Sequence, residues 1–151
     1  MLSPGLLTHW TQAALDAARA GDEPTTAEVA GRICEVADVL DLVATCRLVA
    51  GTAVRALLVL YEPPDPAAGE AWALVELGDA EGHPERLFAA RLITAHANQD
   101  SATVTALVAA AAGASHAQRT ESLRALLSYA ARLDAEAARR TPHLSEGETD
   151  E

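Results

Sequence analysis

His96 and Asp100 stand one helical turn apart, a spacing at which two side chains share a face and form a metal-binding or acid–base pair. Two ligands do not complete a site, and Asp100 is equally placed to cap a following helix. The stretch His96-Ala97-Asn98-Gln99-Asp100 therefore reads as a helix end, a turn and a cap, and it is the densest polar cluster in the chain. His83 falls in a loop between Gly82 and Pro84, and His9, His116 and His143 fall near helix starts or in the tail. Arg47 and Arg55 lie two turns apart in the most apolar stretch. Arg47 occupies an apolar-ladder position, where a buried guanidinium needs a carboxylate. Glu76, Asp79 and Glu85 are the expected partners, across the bundle.

Other chemistries lack their residues. A di-metal carboxylate bundle needs Glu-x-x-His on two helices, and the chain contains none. There is no Gly-x-Ser-x-Gly elbow and no GxGxxG, and with no lysine there is no Walker A lysine. The two cysteines, Cys34 and Cys46, form no CxxC and no zinc-type grouping with histidine. Twelve residues apart on a continuous helix they would be too distant to bridge, which reads as two buried free thiols in a reducing compartment. Pro63-Pro64-Asp65-Pro66 has PxxP form but reads as a rigid linker.

The elements that would position these residues are helices. Val29, Ile33, Val36, Leu40, Val43, Arg47, Ala50, Val54, Leu57 and Tyr61 step by alternating fours and threes, the pattern of a packing seam. A second ladder, Val39, Leu42, Cys46, Val49, Ala53 and Leu60, runs beside it. An unbroken helix over residues 26–62 would be about 55 Å long at the standard rise, more than a compact domain of this size spans. A bend or break is expected, at Gly51 or in the segment Asp38–Asp41. Ser3 and Pro4 open a first helix closed by Gly21, and Thr25 with Glu28 reads as a capping box for the next. A short helix is expected over 70–77 and another from Pro84 to about Asn98. A further one, capped by Asp100 or Ser101, carries Val104, Leu107, Val108 and Ala111. The last is capped by Ser115 with Gln118 and runs to Arg140, with Leu123, Leu126, Leu127, Ala130 and Leu133 inward. Arg132, Glu136 and Arg140 have ion-pair spacing on its outer face.

Composition fits this reading. Of the 151 residues, 35 are alanine, the best helix former, and one is phenylalanine. Eleven arginines with no lysine, and a single asparagine, suggest a high-GC bacterial genome. The formal net charge is −11, of which the four acids of residues 141–151 supply −4. Such a balance disfavours duplex nucleic acid and anionic membrane surfaces. Charges on several faces of the apolar stretch argue against a membrane span. A helix-turn-helix over 25–48 would present Asp38, Asp41 and Arg47 to phosphates, a poor reading face.

The expected fold is therefore all-α: a single-domain bundle of about six or seven helices around a long central helix, bent or broken, over residues 1–140, followed by a disordered acidic tail over 141–151. The expected function is that of a non-enzymatic, cytoplasmic accessory protein without cofactor or metal, binding a protein partner or a second copy of itself. Two alternatives stand beside it. One is a small-ligand sensor with a pocket formed by Tyr61, Trp72, Phe88, His96 and Asp100; the other is a DNA-associated regulator.

Overall fold

The computed structural model describes residues 2–73 and 82–141. Helix α1 spans Pro4–Arg19, α2 Glu23–Val36, α3 Val39–Leu60, α4 Pro84–Ala97, α5 Ser101–Ala112 and α6 His116–Arg140. The protein is an all-α helical bundle, with no strand among the described residues.

The long apolar run is broken, and the break falls at Ala37 and Asp38. Ala37 is extended, and Asp38 opens α3 with a reciprocal capping box: its carboxylate accepts from the Asp41 N–H at 2.8 Å, and the Asp41 carboxylate accepts from the Asp38 N–H at 3.2 Å. Two carboxylates at the positive end of α3 stabilise its start there. Gly51, the other expected break, stays helical within α3.

Local chemistry decides the other boundaries. Asp22, rather than Thr25, caps α2, accepting from the Thr25 N–H at 3.2 Å. Pro24 then falls in the first turn, where its missing N–H costs nothing. The capping box of Ser115 and Gln118 forms as the sequence predicts. Residues 70–73 are not helical, although the sequence suggests a helix from residue 70. Gly69 turns the chain in the left-handed region at φ 75°, the Glu70 carboxylate binds the Asp65 N–H, and Trp72 is held through its backbone instead. Residues 74–77 of that expected helix, with Glu76 and Asp79, lie outside the described residues, as does the tail from 142 onward.

Helices α3 and α6 form the centre. Helix α6 packs against every other helix, and α3 against α1, α4, α5 and α6. Arg140 Nη1 donates to the Leu60 carbonyl at 2.7 Å, so the two helices end together, and one of the orphan carbonyls of α3 gains a charged donor. Arg124 reaches Glu23 at 3.1 Å and His116 Nε2 lies 3.1 Å from the Gly31 carbonyl, which sets α2 antiparallel to α6. Leu15, Ile33, Leu57, Leu92, Ile93, Leu126 and Leu127 are almost fully buried, each contributing roughly 1.5–3 kcal/mol of burial free energy. Alanines at 14, 30, 50, 53, 89, 90 and 130 are completely buried between them and let the helices approach closely.

The two ladders of the long run separate in space. Leu42, Cys46, Val49, Ala53 and Leu60 are buried, so on α3 the second ladder is the seam. Of the first, Ala50 and Leu57 turn inward, while Leu40, Arg47 and Tyr61 face solvent.

Candidate functional site

The polar cluster at the end of α4 is built as a helix end and a cap. The Asp100 N–H bonds the Ala95 carbonyl at 2.8 Å, with Gln99 in the left-handed region at φ 59°. Asp100 then caps α5: its carboxylate accepts from the Thr103 N–H at 3.1 Å and from the Thr103 hydroxyl at 2.5 Å. Those bonds hold its carboxyl below the usual carboxylate range, the hydroxyl having the larger effect. Asp100 is exposed and engaged locally, away from any pairing with His96.

His96 is half-buried and faces α3. Its Nε2 lies 3.9 Å from the point where a Cβ on Gly51 would stand. Burial lowers its proton affinity, and the nearby charge of Arg47 lowers it further. Trp72 is half-buried against the core, its N–H and carbonyl both held by the Asn98 side chain at 2.8 and 3.0 Å. Tyr61 ends α3 and is 52% exposed. Phe88 is the member of the five expected pocket residues that lines the cavity described next.

That cavity measures about 20 Å³, room for one water-sized molecule. It is lined by Cys34 of α2, Leu42 and Cys46 of α3, Phe88, Val108 and Ala111 of α4 and α5, and Arg119, Ser122 and Leu123 of α6. Spacing along a continuous helix would have kept the two cysteines apart; the break at Ala37–Asp38 brings both to one cavity. Both are buried and free. Burial pushes the Cys34 thiol up, opposed by the Thr120 hydroxyl and the Arg119 charge, and pushes Cys46 up to about 12, with Cys34 adding to the effect. Thiols so placed are small apolar side chains, not nucleophiles. Arg119 spends its guanidinium on the Ala112 and Ala114 carbonyls at the end of α5.

The arginines of α3 depart from the sequence expectation. Arg47 and Arg55 are exposed, and neither forms an ion pair among the described residues. Glu85, one expected partner, lies 3.5 Å from His83 instead. Helix α3 begins after the break, and its rotation about its axis puts position 47 outside. The pairs expected of Glu136 are likewise replaced: Arg132 stacks 5.4 Å over the Tyr129 ring, and Arg140 turns to Leu60.

Sequence reasoning also missed the α2–α3 corner. Leu6, Val36, Val39 and Leu40 are all exposed there, Leu40 at 68%. The Leu2 N–H donates to the Asp41 carboxylate at 3.1 Å, which brings the start of α1 beside this corner. The signal was present in the sequence, since a ladder crossing a helix break cannot keep one face throughout. No metal-binding group of three or more His, Cys, Asp or Glu occurs among the described residues.

No family model, curated protein or solved structure matches the chain.

Proposed function

We propose that this is a non-enzymatic interaction protein that self-associates through the α2–α3 corner. The observation that carries the reading is the grouping of Leu6, Val36, Val39 and Leu40, four of the seven exposed large apolar side chains among the described residues, at one corner. Burying such side chains against a second copy gains roughly 25 cal/mol per Å² removed from water. Exposed apolar side chains grouped on neighbouring elements mark partner contacts more often than single exposed leucines do. The two thiols, the capped Asp100 and the solvent-facing arginines offer no nucleophile with an adjacent base, which favours interaction over catalysis.

The ligand-sensor alternative would draw on a ligand-sized cavity of about 300 Å³ or more, and the cavity beside Phe88 is about 20 Å³. The DNA alternative would need a basic face, and the two exposed arginines of α3 stand in a chain with 22 acids. Helix α3 is long and apolar enough to cross a membrane by length and composition alone. Here it is the central helix of the bundle, with eleven buried residues.

Light scattering over a range of concentrations tests the reading. A dimer mass that falls to monomer on dilution is expected, with tighter association as added salt screens the net charge of −11. A strict monomer at every concentration and salt level would overturn self-association.

A further inference from the structure

Arg47, Gly51 and Arg55 follow one another at one-turn spacing along the solvent side of α3. Gly51 leaves bare backbone between the two guanidinium stems. A Cβ built on it would stand 3.8 Å from Arg55 Nη1 and 3.9 Å from His96 Nε2. A guanidinium from α3 and an imidazole from α4 thus lie against the same spot on the helix surface. Arg47 stands one turn away on the other side, close enough for its charge to act on His96.

Like Arg86, Arg91, Arg119, Arg132, Arg139 and Arg140, Arg47 and Arg55 stand outside the ion pairs formed among the described residues. The chain has 11 basic residues against 22 acidic ones, so carboxylates are in surplus. Arg19, Arg32 and Arg124 each take one or two. Arg47 and Arg55 take none among the described residues, and Arg55 is instead oriented by Nη2 donating to the nearly buried Thr52 hydroxyl at 3.1 Å. Arg47 and Arg55 stand one turn on either side of Gly51, and an anion between them would be attracted by both charges.

We propose that Arg47, Arg55 and His96 form a binding site for a phosphate group, seated over Gly51. The donors come from two directions along α3 and from a third on α4. A tetrahedral oxyanion accepts from three sides, whereas a planar carboxylate is satisfied by one guanidinium fork. The imidazole, in the tautomer carrying its proton on Nε2, donates the third bond. The missing side chain at 51 lets the ligand approach the helix surface. The site is open to solvent, so inorganic phosphate and a phosphomonoester both reach it. It is separate from the α2–α3 corner, with Leu40 two turns from Arg47, and it stands whether or not the protein self-associates.

The test is a titration of the full chain with inorganic phosphate at pH 7.5 and fixed ionic strength. The readout is the His96 ring resonance in the NMR spectrum, assigned by its loss in His96→Gln. A saturable shift is expected in the wild type, with a much weaker response to acetate. Arg47→Gln and Arg55→Gln should each weaken binding by about tenfold, the scale of one charge-assisted hydrogen bond, and the double variant should not bind. Gly51→Ala meets only ordinary van der Waals contacts, so it keeps the fold by circular dichroism while its methyl group occupies the seat and weakens binding. Phosphoserine distinguishes the sources: equal affinity assigns the site to the phosphate group alone, and tighter binding assigns it to an ester. A wild type without a saturable shift, an equal response to acetate, or a double variant that binds as the wild type does would each overturn the proposal.

Discussion

Single side chains here are set by their surroundings more than by their type. Cys34 and Cys46 share a cavity, yet burial keeps both protonated and the cavity admits little more than a water. Native protein should therefore resist a thiol reagent such as iodoacetamide at pH 8, and both thiols should react once denaturant is added. Fast labelling of either in the native state would contradict this environment. His96 and Asp100 show the limit of reading spacing alone. One turn of helix separates them in sequence, but α4 ends between them, so one faces Gly51 and the other caps α5. The arginines of α3 were legible as a pair and not as an exposed pair. An arginine on an apolar ladder reads the same whether the ladder faces core or solvent.

At the scale of elements, most helix ends were legible because they rest on local chemistry: Ser3 with Pro4, Asp100, and Ser115 with Gln118 all cap as their types predict. What periodicity could not decide was which of two ladders faced the core, because that depends on how α3 rotates after the break. Nor could it show that Trp72 is held by Asn98 rather than by helix formation. The break itself rests on Asp38 and Asp41. Asp38→Ala should cost about 1 kcal/mol, the usual scale of a lost N-cap, measured by urea denaturation. An unchanged midpoint would show that the capping box does not hold this corner. The pH dependence follows from the same group. The Leu2 N–H, with smaller help from Asp38 and the N-terminal charge, holds the Asp41 carboxyl below its usual range against the cost of burial. Its folded-state value is depressed, so its contribution is present above the usual aspartate range and lost as pH falls through the lower folded value. Asp22 and Asp100 are depressed in the same direction by Thr25 and Thr103. Stability should therefore decline on acidification below about pH 4, and Asp41→Asn should flatten that decline.

For the whole molecule, the all-α bundle follows from alanine-rich helices whose buried faces close around α3 and α6. In the proposed self-association, the surplus of acids would keep copies apart at long range, while the exposed apolar residues Leu6, Val36, Val39 and Leu40 would draw them together at short range. Sedimentation equilibrium of the wild type beside Leu40→Glu and Leu58→Glu measures that balance most directly. Both leucines are exposed, and they sit near opposite ends of α3. A glutamate at position 40 lies in the first turn of α3, where a negative charge favours the helix, so this variant remains folded. The wild type and Leu58→Glu are predicted to form the same dimer and Leu40→Glu to sediment as a monomer; three identical masses would contradict the account.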